Sequence, residues 1–278
     1  MLKLLQLMMK IHSRLMHSEI SNSLEQLRSI QPLVHNITNQ VVKNSTANAL
    51  LAIGASPVMA HAIEEVSDMV RLAGSLVINT GTITATRLES MLAAANTASV
   101  QNKPWILDPV GAGATPFRLE SNQRLLGLKP SVVRGNASEI MALFSGQSGG
   151  KGVDSSISSE STLQFLNEKA GEYNLTIAVT GKTDLIADGK RLARIKNGHP
   201  MMARVTGTGC TATALIGAFL ATCPSPWQAS VSALACLGIA GELAAKESKG
   251  PGSLQVNLLD QLYGLSQEKI EQYLKLEY

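Results

Sequence analysis

Ser75-Leu76-Val77-Ile78-Asn79 and Pro104-Trp105-Ile106-Leu107-Asp108 are two short apolar runs, each ending in a residue with an amide or a carboxylate. Between them, Thr84–Gln101 carries a helical pattern. A strand, a helix and a second strand in this order form a βαβ unit, whose strands run parallel. Comparable runs recur at Pro32–Asn36, Ser56–Ala60, Ser131–Arg134 and Leu175–Thr180, with helical stretches at Val42–Ile53, Glu64–Leu72, Leu119–Leu126 and Ser138–Phe144. The alternation predicts an α/β fold with a mostly parallel central sheet and helices on both faces. Asp184–Ala187 and Arg191–Ile195 flank Asp188-Gly189, a hairpin signal that breaks the parallel rhythm near the sheet edge. Gly146–Ser161 reads as a surface loop, and Met201–Val205 as a strand-like run. Helices follow at Cys210–Ala221, Trp227–Ala245 and around Leu258–Leu274. Without repeats or a linker, one domain over residues 1–278 is expected, with residues 1–30 as an N-terminal helical extension.

Apolar residues make up 45% of the 278 and charged residues 16%, which excludes disorder. Aromatics are only 4%, so the core must come from close helix-on-sheet packing of small aliphatic residues. The net charge of +3 is scattered, with no basic stripe interleaved with aromatics, which argues against a nucleic-acid partner. Cys210, Cys223 and Cys236 are odd in number and match no zinc spacing. They point to a reducing, cytoplasmic setting without thiolate-bound metal. Residues 1–18 lack acids and carry Lys3, Lys10 and Arg14 among apolar neighbours, as a targeting or membrane-surface helix would. However, Leu4–Met9 is too short to span a bilayer and no small-residue cleavage site follows, so a plain extension is expected. No other stretch reads as transmembrane, and no membrane partner is expected.

Phosphate-binding motifs discriminate further. Gly150-Lys151 is followed by Gly152 and preceded by loop, so it is not a P-loop, and the protein-kinase signatures are absent. Gly207-Thr208-Gly209-Cys210-Thr211-Ala212 matches a dinucleotide fingerprint by letter. It lies late in the chain, with no acid between Asp188 and Glu242 to hold a ribose, so NAD binding is rejected. What remains is a small-residue turn opening a helix, where free N–H groups and the helix dipole favour an anion. A tight turn chosen for packing alone is the alternative.

Ligands of open α/β sheets sit beyond the carboxyl ends of the strands. Four predicted strands end there in polar residues: Asn79-Thr80-Gly81-Thr82, Asp108-Pro109-Val110-Gly111, Arg134-Gly135-Asn136 and Thr180-Gly181-Lys182. The set suits phosphoryl transfer. Asp108 and Glu139 offer hard oxygens to magnesium, Arg134 a planar fork to phosphate, and the Gly207–Cys210 turn a place for developing charge. Helix capping around Ser138 and Glu139 is the simpler alternative there.

Taken together, these blocks resemble the ribokinase-like superfamily and, within it, the hydroxyethylthiazole kinases of thiamine biosynthesis and salvage. The likeness is carried by Pro32–Asn39, Ala47–Met59, Asn79–Thr82, Leu107–Ala114, Arg134–Ile140, Val179–Gly181, Val205–Cys210 and Gly250–Ser253, and runs from about Gln31 to the C-terminus. It implies ATP and Mg2+ acting on the primary alcohol of 5-(2-hydroxyethyl)-4-methylthiazole. By resemblance, Asn39 and Met59 line the thiazole pocket with Gly207 beside the substrate, and Arg134, Thr180 and Gly209 contact ATP. Asp108, with Asn136 and Glu139, organises magnesium and its waters. A homotrimer with active sites between subunits is likewise implied. Most ribokinase-like kinases place an Asp where this chain has Cys210. A helix N-terminus lowers a thiol pKa, so some thiolate is expected there, assisting transfer. The extension before Gln31 and Thr80, in place of a larger aliphatic, depart from the pattern.

Rival readings remain at this level. A hydroxymethylpyrimidine or pyridoxal kinase, or an ATP-dependent hydratase, would carry Asp in place of Cys210. A thiol enzyme using Cys210 as nucleophile would need an oriented base, and His199 has no evident partner. A catalytically inactive thiazole-binding protein would have no use for Asp108, Glu139 and Arg134 together.

Overall fold

A computed structural model describes residues 17–146 and 159–278. Its strands are β1 (Leu33–Ile37), β2 (Ser56–Val58), β3 (Ser75–Asn79), β4 (Trp105–Asp108), β5 (Val132–Asn136), β6 (Thr176–Thr180), β7 (Asp184–Ala187), β8 (Leu192–Ile195) and β9 (Leu276–Glu277). They form one sheet in the order β2-β1-β3-β4-β5-β6-β7-β8-β9. The first six run parallel and the last three pair antiparallel, with β7 and β8 forming the expected hairpin. The α/β class read from the alternation is therefore the observed one.

The helices are α1 (17–30), α2 (Lys43–Ile53), α3 (Val66–Leu72), α4 (Ala85–Val100), α5 (Pro116–Leu126), α6 (Ala137–Ser145), α7 (Ser159–Tyr173), α8 (Thr208–Leu220), α9 (Pro226–Lys246), α10 (Pro251–Tyr263) and α11 (Gln267–Tyr273). Successive strand residues face opposite ways, so each buried strand feeds two cores. Val34, Val77, Ile106, Val132 and Ala178 join α1, α2 and α8–α11 on one face. Leu76, Ile78, Trp105, Leu107, Val133 and Ile177 join α3–α7 on the other. Helix α8 lies directly on β3: a Cβ on Gly217 would fall 2.3 Å from Val77 Cγ2, and Ser75 Oγ donates to the Gly217 carbonyl at 2.5 Å. Glycine there permits the close approach that seats α8 against the sheet.

The extension is partly integral to the fold, while residues 1–16 lie outside the described residues. Ile20, Leu24 and Leu27 of α1 are buried in the first core. Arg28 donates to the carbonyls of Ile53, Leu262, Tyr263 and Leu265 at 2.8–3.3 Å, closing the C-terminal ends of α2 and α10, where a cation is favoured.

Three expectations need correction, and a fourth falls mostly outside the described residues. Met201–Val205 is not a strand; it belongs to a 3₁₀ turn over Pro200–Arg204, where Pro200 suits a helical start and the Met201 N–H donates to His199 Nδ1 at 3.2 Å. The helix expected around Leu258–Leu274 is two, α10 and α11, broken at Gly264-Leu265-Ser266, with Ser266 capping α11 through the Lys269 N–H. The loop Gly146–Ser161 lies mostly outside the described residues, and α7 already begins at Ser159. Finally, α9 does have the length and hydropathy of a membrane span, yet 83% of that window is buried, as in a core helix.

Candidate active site

Parallel strands deliver their last residues to one edge, and α8 arrives there with its first turn. The register pairs Asn79 of β3 directly with Asp108 of β4. Asp108 is 1% exposed, and its Oδ2 accepts from Asn79 Nδ2 at 2.6 Å and Thr213 Oγ1 at 2.7 Å, with Arg134 Nη1 at 3.5 Å. Burial pushes the Asp108 carboxyl up to about 6; Arg134 opposes this, the Glu139 charge adds to it, and the bonds from Thr213 and Asn79 oppose it. Its second oxygen, Oδ1, is buried without a hydrogen-bond partner.

Arg134 projects from β5 and donates to Thr180 Oγ1 at the end of β6. Its guanidinium lies against the start of α8: a Cβ on Gly209 would fall 2.8 Å from Nη2 and 2.9 Å from Nη1. Gly207 begins this helix with φ +87° and no side-chain cap, and a Cβ there would meet Val42 Cγ1 at 2.7 Å. The first N–H groups of a helix have no intrahelical acceptor, so this turn offers donors to an anion beside Arg134.

Cys210 Sγ accepts from Asn39 Nδ2 at 3.4 Å and Asn79 Nδ2 at 3.3 Å. The expected thiolate is not favoured. Burial and then the Asp108 charge raise the Cys210 pKa, outweighing the help of Asn39, Arg134 and Asn79. A low-dielectric site beside a carboxylate penalises a second negative charge more than the helix start rewards it.

Asn136 and Glu139 form a reciprocal capping box at the start of α6: the Glu139 N–H donates to Asn136 Oδ1 and the Asn136 N–H to Glu139 Oε2, both at 2.9 Å. Ser138 is not the cap; its hydroxyl donates to Asn136 Oδ1 at 2.7 Å. Glu139 Oε1 also accepts the Gly111 N–H at 2.9 Å, tying the loop after Asp108 to α6. Each Glu139 oxygen keeps a further lone pair. Among the described residues no group of three or more His, Cys, Asp or Glu converges as a metal cage. Two carboxylates with a bare Asp108 Oδ1 nonetheless fit magnesium, which binds few protein oxygens and keeps its waters.

Asn39, Asp108, Arg134, Thr180, Gly209 and Cys210 are thus brought together. Gly207 opens the same turn, Asn136 ends the strand that carries Arg134, and Glu139 follows in the first turn of α6. Met59 lies just beyond the edge strand β2, neighbouring β1. Sequence reasoning gave no role to Thr213, although its place three residues after Cys210 puts both on one helical face. Asp184 was also passed over. Its Oδ1 accepts the Gly181 N–H at 2.9 Å, and burial pushes its carboxyl up to about 6, against that bond and Arg134.

The fold is ribokinase-like. A ribokinase-like superfamily protein from Enterococcus faecalis V583 superposes with a TM-score of 0.62 over 86% of this chain and 89% of that one, at 16% identity, a likeness of fold alone. Residues 24–268 match the model of the hydroxyethylthiazole kinase family, and the chain belongs to that family. It is 52% identical over 252 residues to the hydroxyethylthiazole kinase of Desulfotalea psychrophila, covering 90% of this chain and 92% of that one. The solved hydroxyethylthiazole kinase of Pyrococcus horikoshii OT3 is similar at 46% identity and a TM-score of 0.87, over 93% and 98% of the two chains. The family match begins at residue 24, inside α1, so the likeness extends upstream of Gln31.

Proposed function

We propose that this chain transfers the γ-phosphoryl group of ATP to the hydroxyl of 5-(2-hydroxyethyl)-4-methylthiazole, supplying the thiazole phosphate for thiamine phosphate synthesis or salvage. The observation that carries the phosphoryl-transfer reading is the Arg134 guanidinium against Gly209, at an uncapped helix start beside Asp108. Membership of the family supports the choice of alcohol.

In this reading Arg134, Thr180 and Gly209 bind ATP, and the first turn of α8 steadies charge on the group in flight. Asp108 and Glu139 hold Mg2+ and its waters, with Asn136 fixing Glu139 through the capping box. Bound magnesium would neutralise phosphate charge. Asn39, Met59 and Gly207 line the thiazole side. Cys210, kept as a thiol by burial, orients the alcohol and assists without acting as a strong base. The continuous sheet supports one kinase domain with α1 as its N-terminal extension. A cytoplasmic homotrimer with sites between subunits completes the reading, by likeness to the family.

ADP release from ATP and magnesium, compared among hydroxyethylthiazole, hydroxymethylpyrimidine and pyridoxal, tests it. Turnover that depends on the thiazole is expected. Turnover with either other alcohol and none with the thiazole would overturn the substrate assignment and leave the phosphoryl site standing.

A further inference from the structure

Asn79 stands at the centre of the polar cluster, with no role yet in recognising either substrate. It is 1% exposed and touches Asp108, Cys210, Asn39 and the Gly81 backbone. The direction of each amide in this cluster follows from chemistry alone. Backbone N–H groups can only donate. The Gly81 N–H lies 3.0 Å from Asn79 Oδ1, so the Asn79 NH2 must face the other way, toward Asp108 Oδ2 and Cys210 Sγ. The Val41 N–H lies 3.1 Å from Asn39 Oδ1, so the Asn39 NH2 faces Asn79 Oδ1, at 2.9 Å, and Cys210 Sγ. Every amide proton in the pair is then used within the cluster. Asn39 is left with only a lone pair on Oδ1 to offer a ligand, and the Cys210 S–H proton is turned away from both amides.

We infer that Asn79 is a positioning residue for the thiazole alcohol: it passes the location of the Asp108 carboxylate on to Asn39 and Cys210, so that the thiazole side and the phosphoryl side are held in one register. This rests on the reading of Asn39 and Cys210 as facing the alcohol. Asn79 acts through them and not on the ligand. Because β3 and β4 pair Asn79 with Asp108, the sheet itself sets the distance between the two halves of the site.

A double-mutant cycle tests the inference, read as kcat/KM for the thiazole alcohol with KM for ATP measured alongside. Asn39→Ala and Asn79→Ala are each expected to lower kcat/KM on the order of tenfold or more, with KM for ATP changed less than about threefold. The double variant should lie within about threefold of Asn79→Ala, because without Asn79 the Asn39 amide is no longer held in place. Multiplicative losses in the double variant would overturn the inference and leave Asn39 in the thiazole pocket. An Asn39→Ala enzyme with full kcat/KM would overturn both the inference and the placement of Asn39. If Asn79→Ala does not fold, Asn79→Asp keeps the shape, turns a donor into an acceptor facing Asp108, and carries the same cycle.

Discussion

Helices α6 and α8 start at the same edge of the sheet and finish their first turns in opposite ways. At α6 the chain satisfies its own N–H groups: Asn136 and Glu139 cap one another, and Glu139 reaches over to the Gly111 N–H. At α8 the capping position is Gly207, the second helical residue is Gly209, and the side chain that fills the space is the Arg134 guanidinium from β5. A capping side chain normally adds about 1 kcal/mol over Ala and a few tenths over Gly. At Gly207 the positive φ and Val42 Cγ1 leave no room for one, so the start of α8 stays uncapped and its donors are left free for a ligand. The closed start holds a carboxylate in place; the open one is where charge is to be met.

Removing the thiol at the open start should have the larger consequence. Cys210→Ala is expected to lower kcat on the order of 10- to 100-fold with ATP and thiazole binding intact, below the full range of general-base catalysis. Turnover lost below detection, with binding intact, would make Cys210 the base and break that part of the account. Cys210→Asp should retain activity. At the closed start, Glu139→Gln removes the charge and keeps one accepting oxygen for the Asn136 N–H, while its NH2 can no longer accept the Gly111 N–H. The magnesium concentration for half-maximal rate should then rise about tenfold, as for other residues that organise a metal and its waters; an unchanged requirement would make Glu139 a cap and nothing more. Asn136→Ala should cost about 1 kcal/mol in denaturant unfolding, the worth of an N-cap, with the loss of rate confined to low magnesium.

The smallest effect concerns acidity. Burial and the Asp108 charge raise the Cys210 pKa, so less thiolate is present at neutral pH than in a free thiol. Peptide-resolved alkylation by iodoacetamide should therefore still be accelerating above the ordinary thiol range. A plateau near neutral pH would show that the helix dipole prevails after all.

Much of the fold is legible because its central strands are buried on both faces, so the apolar runs from Leu33 to Thr180 stand out from their surroundings. Legibility fails where a run is short and ambiguous. Met201–Val205 has strand-like residues, but Pro200 and the His199 cap turn it into a 3₁₀ helix. The break between α10 and α11 rests on Gly264 and Ser266, ordinary residues that become a stop and a start only in context. At the site, polar strand ends could be read singly. Their pairing could not, because the contact of Asn79 with Asp108 depends on β3 and β4 being neighbours in register. The acidity of Cys210 was misjudged for the same reason: the helix start is visible in the sequence, whereas the burial and the carboxylate beside it exist only in three dimensions.

The most direct test of the open helix start is kcat/KM for ATP in Gly209→Ala, measured together with thermal unfolding. Alanine is the better helix former by about 1 kcal/mol, so the fold should be kept or stabilised. The new Cβ would meet the Arg134 guanidinium at 2.8–2.9 Å and displace it from the anion site. A loss of about 10²-fold in kcat/KM without loss of stability, the scale for removing one preorganised donor, is the expected result. Full kcat/KM in a stably folded Gly209→Ala enzyme would contradict the assignment of this turn and Arg134 as the phosphoryl site.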